Sequence, residues 1–170
     1  SILQEQVTLL MSFVWLVYYT LLFRTLGVIA LYDKAHTYIP IPFLFFYGLL
    51  TLGMLVVKYF YDPAWMILLG PVVVAFPFLL VWLITKGRGL GFGDVLLFLG
   101  VGAFFGVSQG IAVLLISIWI GALYGVYVKY FSQNKGKVGI AIPFVPFIVI
   151  AFLLVLFTDI DMFSIASLFA

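Results

Sequence analysis

The sequence has few charged residues and no cysteine, and these two shortages exclude most classes of soluble protein. Charged residues make up 8% of the chain and hydrophobic residues 66%, with a mean hydropathy of +1.34. A soluble domain carries about 25% charged residues, so this composition predicts an integral membrane protein. Without cysteine the chain cannot form disulfides, use a catalytic thiol or bind zinc through thiolates.

Other residue types are also too scarce to support common kinds of site. The chain has one histidine, His36, which cannot build a histidine-rich metal site by itself. We therefore expect no metal ion and no cofactor. No basic cluster with interleaved aromatic residues is present, so nucleic-acid binding is not expected. The lipid bilayer is the predicted surrounding of this chain.

Long apolar runs predict an all-α, polytopic membrane helix bundle that forms a single transmembrane domain over residues 1–170. A membrane-spanning helix needs about 20 apolar residues. By this criterion we predict about six transmembrane helices: 7–32, 41–61, 64–85, 95–107, 110–131 and 140–158. The fourth is unusually short. Either it begins below the membrane surface, which places Asp94 at membrane depth, or it ends early inside the bundle.

The distribution of lysine and arginine predicts the orientation of this bundle. The loops after segments one, three and five contain Lys34, Lys86, Arg88, Lys129, Lys135 and Lys137, whereas those after segments two and four contain only Lys58. Cytoplasmic loops are enriched in basic residues. The six-helix arrangement therefore places Asp33 and Asp94 on the cytoplasmic side and both termini outside.

Two of the six acidic residues are candidates for catalysis. Asp33 and Asp94 lie at the cytoplasmic boundary of apolar segments, where ionisable residues are costly and commonly functional. Two carboxyl groups in one site hold one proton between them, so one activates water while the other acts as an acid. From the predicted helix ends we assign Asp94 as the initial base and Asp33 as the initial acid.

Simpler interpretations of the acidic residues remain open. Asp94 is also suited to cap the start of a helix, and Asp33 to lie in solvent just past a helix end. The other four acids, Glu5, Asp62, Asp159 and Asp161, are expected to be solvated on the outer face.

The residues before Asp94 are rich in glycine. Gly89, Gly91 and Gly93 permit close backbone approach or a positive φ. A substrate must expose its backbone to be cut, and a bare backbone edge is able to hold it as an added strand. The alternative is a flexible loop between helices.

Three ordered motifs extend this interpretation. They are "LYDKAHTYIPIPF" (31–43), "GLGFGDVLLFLGVGAFFG" (89–106) and "IPFVPF" (142–147). Together they resemble the type IV prepilin peptidases, a family of GxGD membrane aspartyl proteases. Asp33 lies seven residues before Pro40, as the family pattern requires, and two apolar segments separate Asp33 from Asp94.

The resemblance implies an activity, a location and a set of site residues. Members of this family remove the basic leader of prepilin-like proteins at the cytoplasmic face of the prokaryotic plasma (inner) membrane. Asp33 and Asp94 match the catalytic pair. Pro40 and the later motif residues Pro143, Phe144 and Pro146 match positions that pack near the site; a helix start with ordinary apolar packing explains the later three equally well.

The sequence departs from the family pattern at several positions. Ile41 follows Pro40 where an acid or amide is common, Leu97 replaces a lysine, and Val145 replaces a glycine. Many bacterial members also carry a region with paired CxxC motifs and N-methyltransferase activity. This chain contains no such region, so methyl transfer is not predicted.

Three other functions remain as alternatives. Tyr32-Asp33 also matches the YD motif of presenilin-like proteases, but those carry it on the helix adjacent to GxGD. A small transporter or ion-binding membrane protein would use membrane-depth acids, and a non-catalytic assembly scaffold would tolerate the departures.

Arg24, within the first segment, either pairs with an acid inside the bundle or extends towards the membrane surface.

Overall fold

The computed structural model of the chain describes residues 2–88, 90–131 and 143–167. It contains seven helices in these residues: α1 Ile2–His36, α2 Ile41–Tyr61, α3 Trp65–Thr85, α4 Phe92–Phe105, α5 Val107–Phe131, α6 Val145–Thr158 and α7 Met162–Ala166. No strand occurs in the described part of the chain. The predicted all-helical class is therefore confirmed.

The predicted count of six membrane-spanning helices is not confirmed. Four helices are long and apolar enough to cross a membrane: Gln4–His36, Ile41–Tyr61, Trp65–Thr85 and Val107–Tyr130. Helices α4 and α6 are apolar but have only 14 residues each. At about 1.5 Å per residue such a helix is roughly 21 Å long. This is shorter than a hydrocarbon core of about 30 Å.

Two helix boundaries differ from the prediction in ways that affect the acidic residues. Helix α1 continues to His36, so Asp33 lies inside its last turn rather than beyond its end. The helix ends where Thr37 adopts a positive φ of 56°. Helix α4 begins at Phe92 with Gly91 as its N-cap residue, so Asp94 is its third residue and not its cap.

Helix α4 is the central element of the bundle. Ten of its 14 residues are buried, and it packs against α2, α3 and α5. Its closest approach is to α3, where Gly102 lies against Gly70. A Cβ atom built on Gly102 would be 2.2 Å from the carbonyl oxygen of Gly70. Only glycine permits this backbone contact, which sets the position of α4 and hence of Asp94.

The end of α4 far from Asp94 is held by a glycine and a lysine. Gly106, with a φ of 84°, ends the helix, and α5 begins at the next residue. The ammonium group of Lys58 on α2 donates a hydrogen bond to the carbonyl oxygen of Phe104. A cation is favourable at a helix C-terminus, where carbonyl groups lack partners within the helix.

Helix α1 carries a regular buried stripe that continues to its acidic residue. Leu22, Leu26 and Ile29 are at most 1% exposed, and Asp33 follows Ile29 by four residues. Positions three or four apart lie on one helix face. The same face that builds the core, with α6 packed against α1, therefore directs Asp33 into the bundle.

Candidate active site

Asp33 is buried at the end of α1 and is bound by the start of α6. Its side chain is 7% exposed. The backbone N–H of Val145, the first residue of α6, donates a hydrogen bond of 3.0 Å to its carboxylate oxygen Oδ2. The first N–H groups of a helix have no partners within the helix and carry partial positive charge. This contact therefore holds the carboxylate in place and stabilises its charge.

Asp94 is buried in the first turn of α4, where its carboxylate also accepts a backbone N–H from the start of a helix. Its side chain is 8% exposed. The backbone N–H of the N-cap residue, Gly91, donates to its Oδ2 atom over 3.2 Å. In return, the N–H of Asp94 donates to the carbonyl oxygen of Gly91 over 3.1 Å. These two bonds orient the carboxylate without neutralising it.

The two aspartates are 61 positions apart in the chain, but in the fold they lie near enough for their charges to interact. Burial disfavours the charged form of Asp94 most, and the charge of Asp33 adds to that effect. No lysine or arginine in the described part of the chain forms an ion pair with either one. Two unpaired carboxylates in a buried site repel each other, and sharing a single proton relieves that repulsion. The arrangement is suited to combined acid and base chemistry.

The helix ends do not distinguish the roles of the two aspartates. The sequence suggested opposite helix ends, with Asp33 at a C-terminus and Asp94 at an N-terminus. In the structure the Asp33 carboxylate meets the N-terminus of α6, so each carboxylate accepts an N–H group at the start of a helix. Asp33 also remains in the last turn of α1, so the helix ends alone do not decide the roles, and the assignment of Asp94 as base and Asp33 as acid stays a prediction.

The third motif contributes a backbone donor together with apolar packing. Pro143 and Phe144 precede α6, and Pro146 is the second residue of the helix. At the first turn of a helix the missing N–H of proline costs nothing. The ring centroid of Phe144 lies 5.6 Å from the ring centroid of Phe78 and 6.5 Å from that of Phe98. This packing anchors the turn whose next residue, Val145, binds Asp33.

The contact with Val145 was not foreseen from the sequence. Its side chain departs from the family pattern, in which glycine is usual, but the donor is its backbone N–H. Any residue except proline supplies that group. The sequence offered no signal for this contact, because the unpaired N–H groups of a helix start do not depend on the side chains there.

The first and second motifs also contact each other. Pro40 is the N-cap of α2, and the preceding residue, Ile39, lies against Gly93. A Cβ atom built on Gly93 would be 2.7 Å from Cδ1 of Ile39. Gly91 has an ordinary φ of −72° and needs no glycine for its conformation. Gly89, also predicted to line the site, lies outside the described residues.

Comparison with known families identifies this arrangement. The sequence model of the type IV leader peptidase family matches residues 20–126, which is more than half of the chain and includes Asp33 and Asp94. The chain belongs to the type IV leader peptidase family. This confirms the family predicted from the motifs and makes the chain a leader-peptidase-like protease of the membrane. The third motif, 142–147, lies outside the matched range. No curated protein and no solved structure matched the chain significantly.

The close contact between Ile39 and Gly93 gives a testable prediction for this member of the family. Gly93→Ala should lower the free energy of unfolding by about 1–3 kcal/mol, since the added methyl group overpacks the contact. Shortening Ile39 to alanine in the same chain should recover part of that loss. Thermal melting of the two single variants and the double variant in detergent measures the coupling.

Gly91→Ala is the matched control for this cycle. Its new Cβ would be 3.4 Å from the nearest atom, an Asp94 oxygen, which is an ordinary contact. It should therefore cost less than Gly93→Ala. Strictly additive effects of Gly93→Ala and Ile39→Ala would show that the contact does not restrict position 93.

Proposed function

We propose that the chain is an intramembrane aspartyl endopeptidase that removes the leader of prepilin-like precursors, with Asp33 and Asp94 as its catalytic pair. The observation that carries this proposal is the burial of both carboxylates, each bound by a backbone N–H and near enough for their charges to interact. No basic side chain in the described part of the chain pairs with either of them. Membership of the leader peptidase family supports the type of substrate.

The proposed reaction is direct attack of water on the peptide bond. One ionised carboxylate removes a proton from water, and the water oxygen bonds to the peptide carbonyl carbon. The neutral carboxyl group gives its proton to the carbonyl oxygen. When the tetrahedral intermediate collapses, the carboxyl group that gained a proton passes it to the leaving amine and the C–N bond breaks. The other carboxylate takes a proton from one hydroxyl of the intermediate, so that the C=O bond re-forms and the pair again holds one proton.

The positions of the basic residues support a cytoplasmic site. Three lysines lie at the C-terminal ends of α1, α3 and α5, at the end of the bundle that holds Asp33: Lys34, Lys86 and Lys129. Lys58 lies near the opposite end of α4. Basic residues favour the cytoplasmic side of a membrane. We place the site at the cytoplasmic face of a prokaryotic plasma membrane, with Gly89, Gly91 and Gly93 alongside the substrate backbone.

Cleavage by the purified chain tests this function. The full chain is reconstituted into lipid vesicles with a membrane protein that carries a basic leader before an apolar helix. Mass spectrometry then gives the masses of the cleavage products and hence the position of the cut. We expect one cut between leader and helix. The cut should persist in EDTA, because the proposed pair needs no metal, and should disappear in the Asp33→Asn/Asp94→Asn double variant.

Two outcomes would contradict the proposal. Loss of cleavage in EDTA, restored by a divalent cation, would assign the chemistry to a metal. Cleavage that persists in the folded double variant would place the catalytic groups elsewhere in the chain.

A further inference from the structure

A charged residue on the outside of α1 has no role in the proposed reaction. Arg24 lies within the apolar part of α1, nine residues before Asp33. Nine residues make about two and a half helical turns, which places Arg24 on the face opposite Asp33. It is exposed at the bundle surface, and no acidic side chain in residues 2–88, 90–131 or 143–167 pairs with it.

Arg24 lines a groove between α1 and α2. The groove has a volume of about 410 Å³. Its walls include Leu21 and Val28 of α1 and Pro42, Phe43 and Phe46 of α2. Of the described residues in this lining, only Arg24 and Thr25 have polar side chains. The hydroxyl of Thr25 already donates to the carbonyl of Leu21 over 2.7 Å. We call this feature the α1–α2 groove.

A cation in an apolar, membrane-facing groove favours a bound anion. An arginine at membrane depth is costly unless it is paired or reaches the interface. The groove includes Pro42 and Phe43, which lie in the first turn of α2. The N-cap residue of this helix, Pro40, makes no side-chain hydrogen bond to the N–H groups of that turn. The partial positive charge of that helix start adds to the charge of Arg24. The guanidinium group binds phosphate through two parallel hydrogen bonds.

We propose that the α1–α2 groove binds an anionic phospholipid of the leaflet on the Asp33 side, with its phosphate on Arg24. The exposed rings of Phe43 and Phe46 suit the upper part of an acyl chain. Among the described residues, no acidic side chain lines the groove to receive the ammonium group of a zwitterionic lipid. The occupant is therefore a headgroup of net negative charge, such as phosphatidylglycerol. This binding does not depend on the proposed catalytic activity.

Native mass spectrometry of the full chain tests the proposal. The delipidated protein in neutral detergent is titrated with phosphatidylglycerol or phosphatidylcholine. We expect phosphatidylglycerol to be retained preferentially, and Arg24→Gln to weaken its binding at least about tenfold, as expected when a charged hydrogen-bonding group is lost. The affinity of Arg24→Lys for phosphatidylglycerol should be intermediate, because lysine keeps the charge but lacks the planar guanidinium group that forms two parallel hydrogen bonds.

Two further variants distinguish a lipid bound inside the α1–α2 groove from non-specific electrostatic attraction to the protein surface. Val28→Trp fills the groove while keeping Arg24, and should also weaken phosphatidylglycerol binding. Lys129→Gln removes an exposed cation at the end of α5 and should leave binding unchanged. Thermal melting confirms that each variant is folded.

Three results would overturn the proposal. One is unchanged phosphatidylglycerol binding by folded Arg24→Gln, and another is equal weakening by Lys129→Gln. The third is full displacement of the lipid by inorganic phosphate at equal concentration, since the groove would then add nothing to the recognition of a free anion.

Discussion

Asparagine at either Asp33 or Asp94 is expected to reduce leader cleavage by a factor of about 10²–10⁴, the usual contribution of an acid or base group. The substitution keeps the size of the side chain and an oxygen that accepts the N–H of Val145 or Gly91. It also removes one of two repelling buried carboxylates. The melting temperature should therefore stay unchanged or rise while activity falls.

The double variant and a matched acidic residue complete this test. If the two carboxylates act as one unit, the double variant should lose little more activity than either single variant. Asp62→Asn is the control, because Asp62 is exposed at the far end of α2. Its rate should equal that of the wild type. Wild-type cleavage by either folded single variant would show that the substituted aspartate has a structural role only.

The dependence of the cleavage rate on pH distinguishes a shared proton from a single working carboxylate. A pair that must hold one proton is active only between its two ionisation steps, so the rate should rise and then fall with pH. The two steps belong to the pair and not to either residue. A rate with one limb over the range in which the protein stays folded would indicate a single essential carboxylate.

Alanine at Gly102 is expected to cause the largest loss of stability. The new Cβ atom would be 2.2 Å from the carbonyl oxygen of Gly70 and 2.7 Å from Cα of Pro71. Both are backbone atoms that no rotamer change can remove, so α3 and α4 must separate. We expect a loss of about 3 kcal/mol or more, at the upper end of overpacking effects. Thermal melting of the purified variant in detergent measures it.

Gly53→Ala is the matched control for this prediction. Gly53 lies within α2, and a Cβ atom built on it meets no atom within 4 Å. Alanine favours a helix over glycine by about 1 kcal/mol, so this variant should melt at the same temperature as the wild type or higher. Equal melting temperatures for Gly102→Ala and Gly53→Ala would show that the α3–α4 contact is looser than the structure indicates.

Individual residues show how much of the fold was predictable from sequence. The bounds of α2, Ile41–Tyr61, were predicted correctly, because proline begins this helix and a polar Asp-Pro turn ends it. The start of α4 was wrong by three residues, since the prediction followed the apolar run from Val95 and omitted Phe92, Gly93 and Asp94. Hydrophobicity locates the apolar part of a helix, whereas backbone hydrogen bonds decide where it begins.

The candidate site was predictable in part for a similar reason. Asp33 and Asp94 stand out because carboxylates are rare beside long apolar runs, and three ordered motifs indicated the family that the comparison confirmed. Their catalytic role stays a prediction. The N–H of Val145 could not be identified, because a backbone donor leaves no side-chain signature in the sequence. Its contact joins residues 112 positions apart.

The sequence by itself determined that this chain is an apolar, all-helical membrane protein of the leader peptidase family, because composition and local motifs are properties of the chain before it folds. Only the tertiary structure decided which groups meet. It placed Asp33 against α6, Ile39 against Gly93, and Gly70 against Gly102. It also left Arg24 in an open groove on the opposite face of α1. These contacts depend on how helices pack, and packing is set by the shapes of surfaces that lie far apart in the sequence.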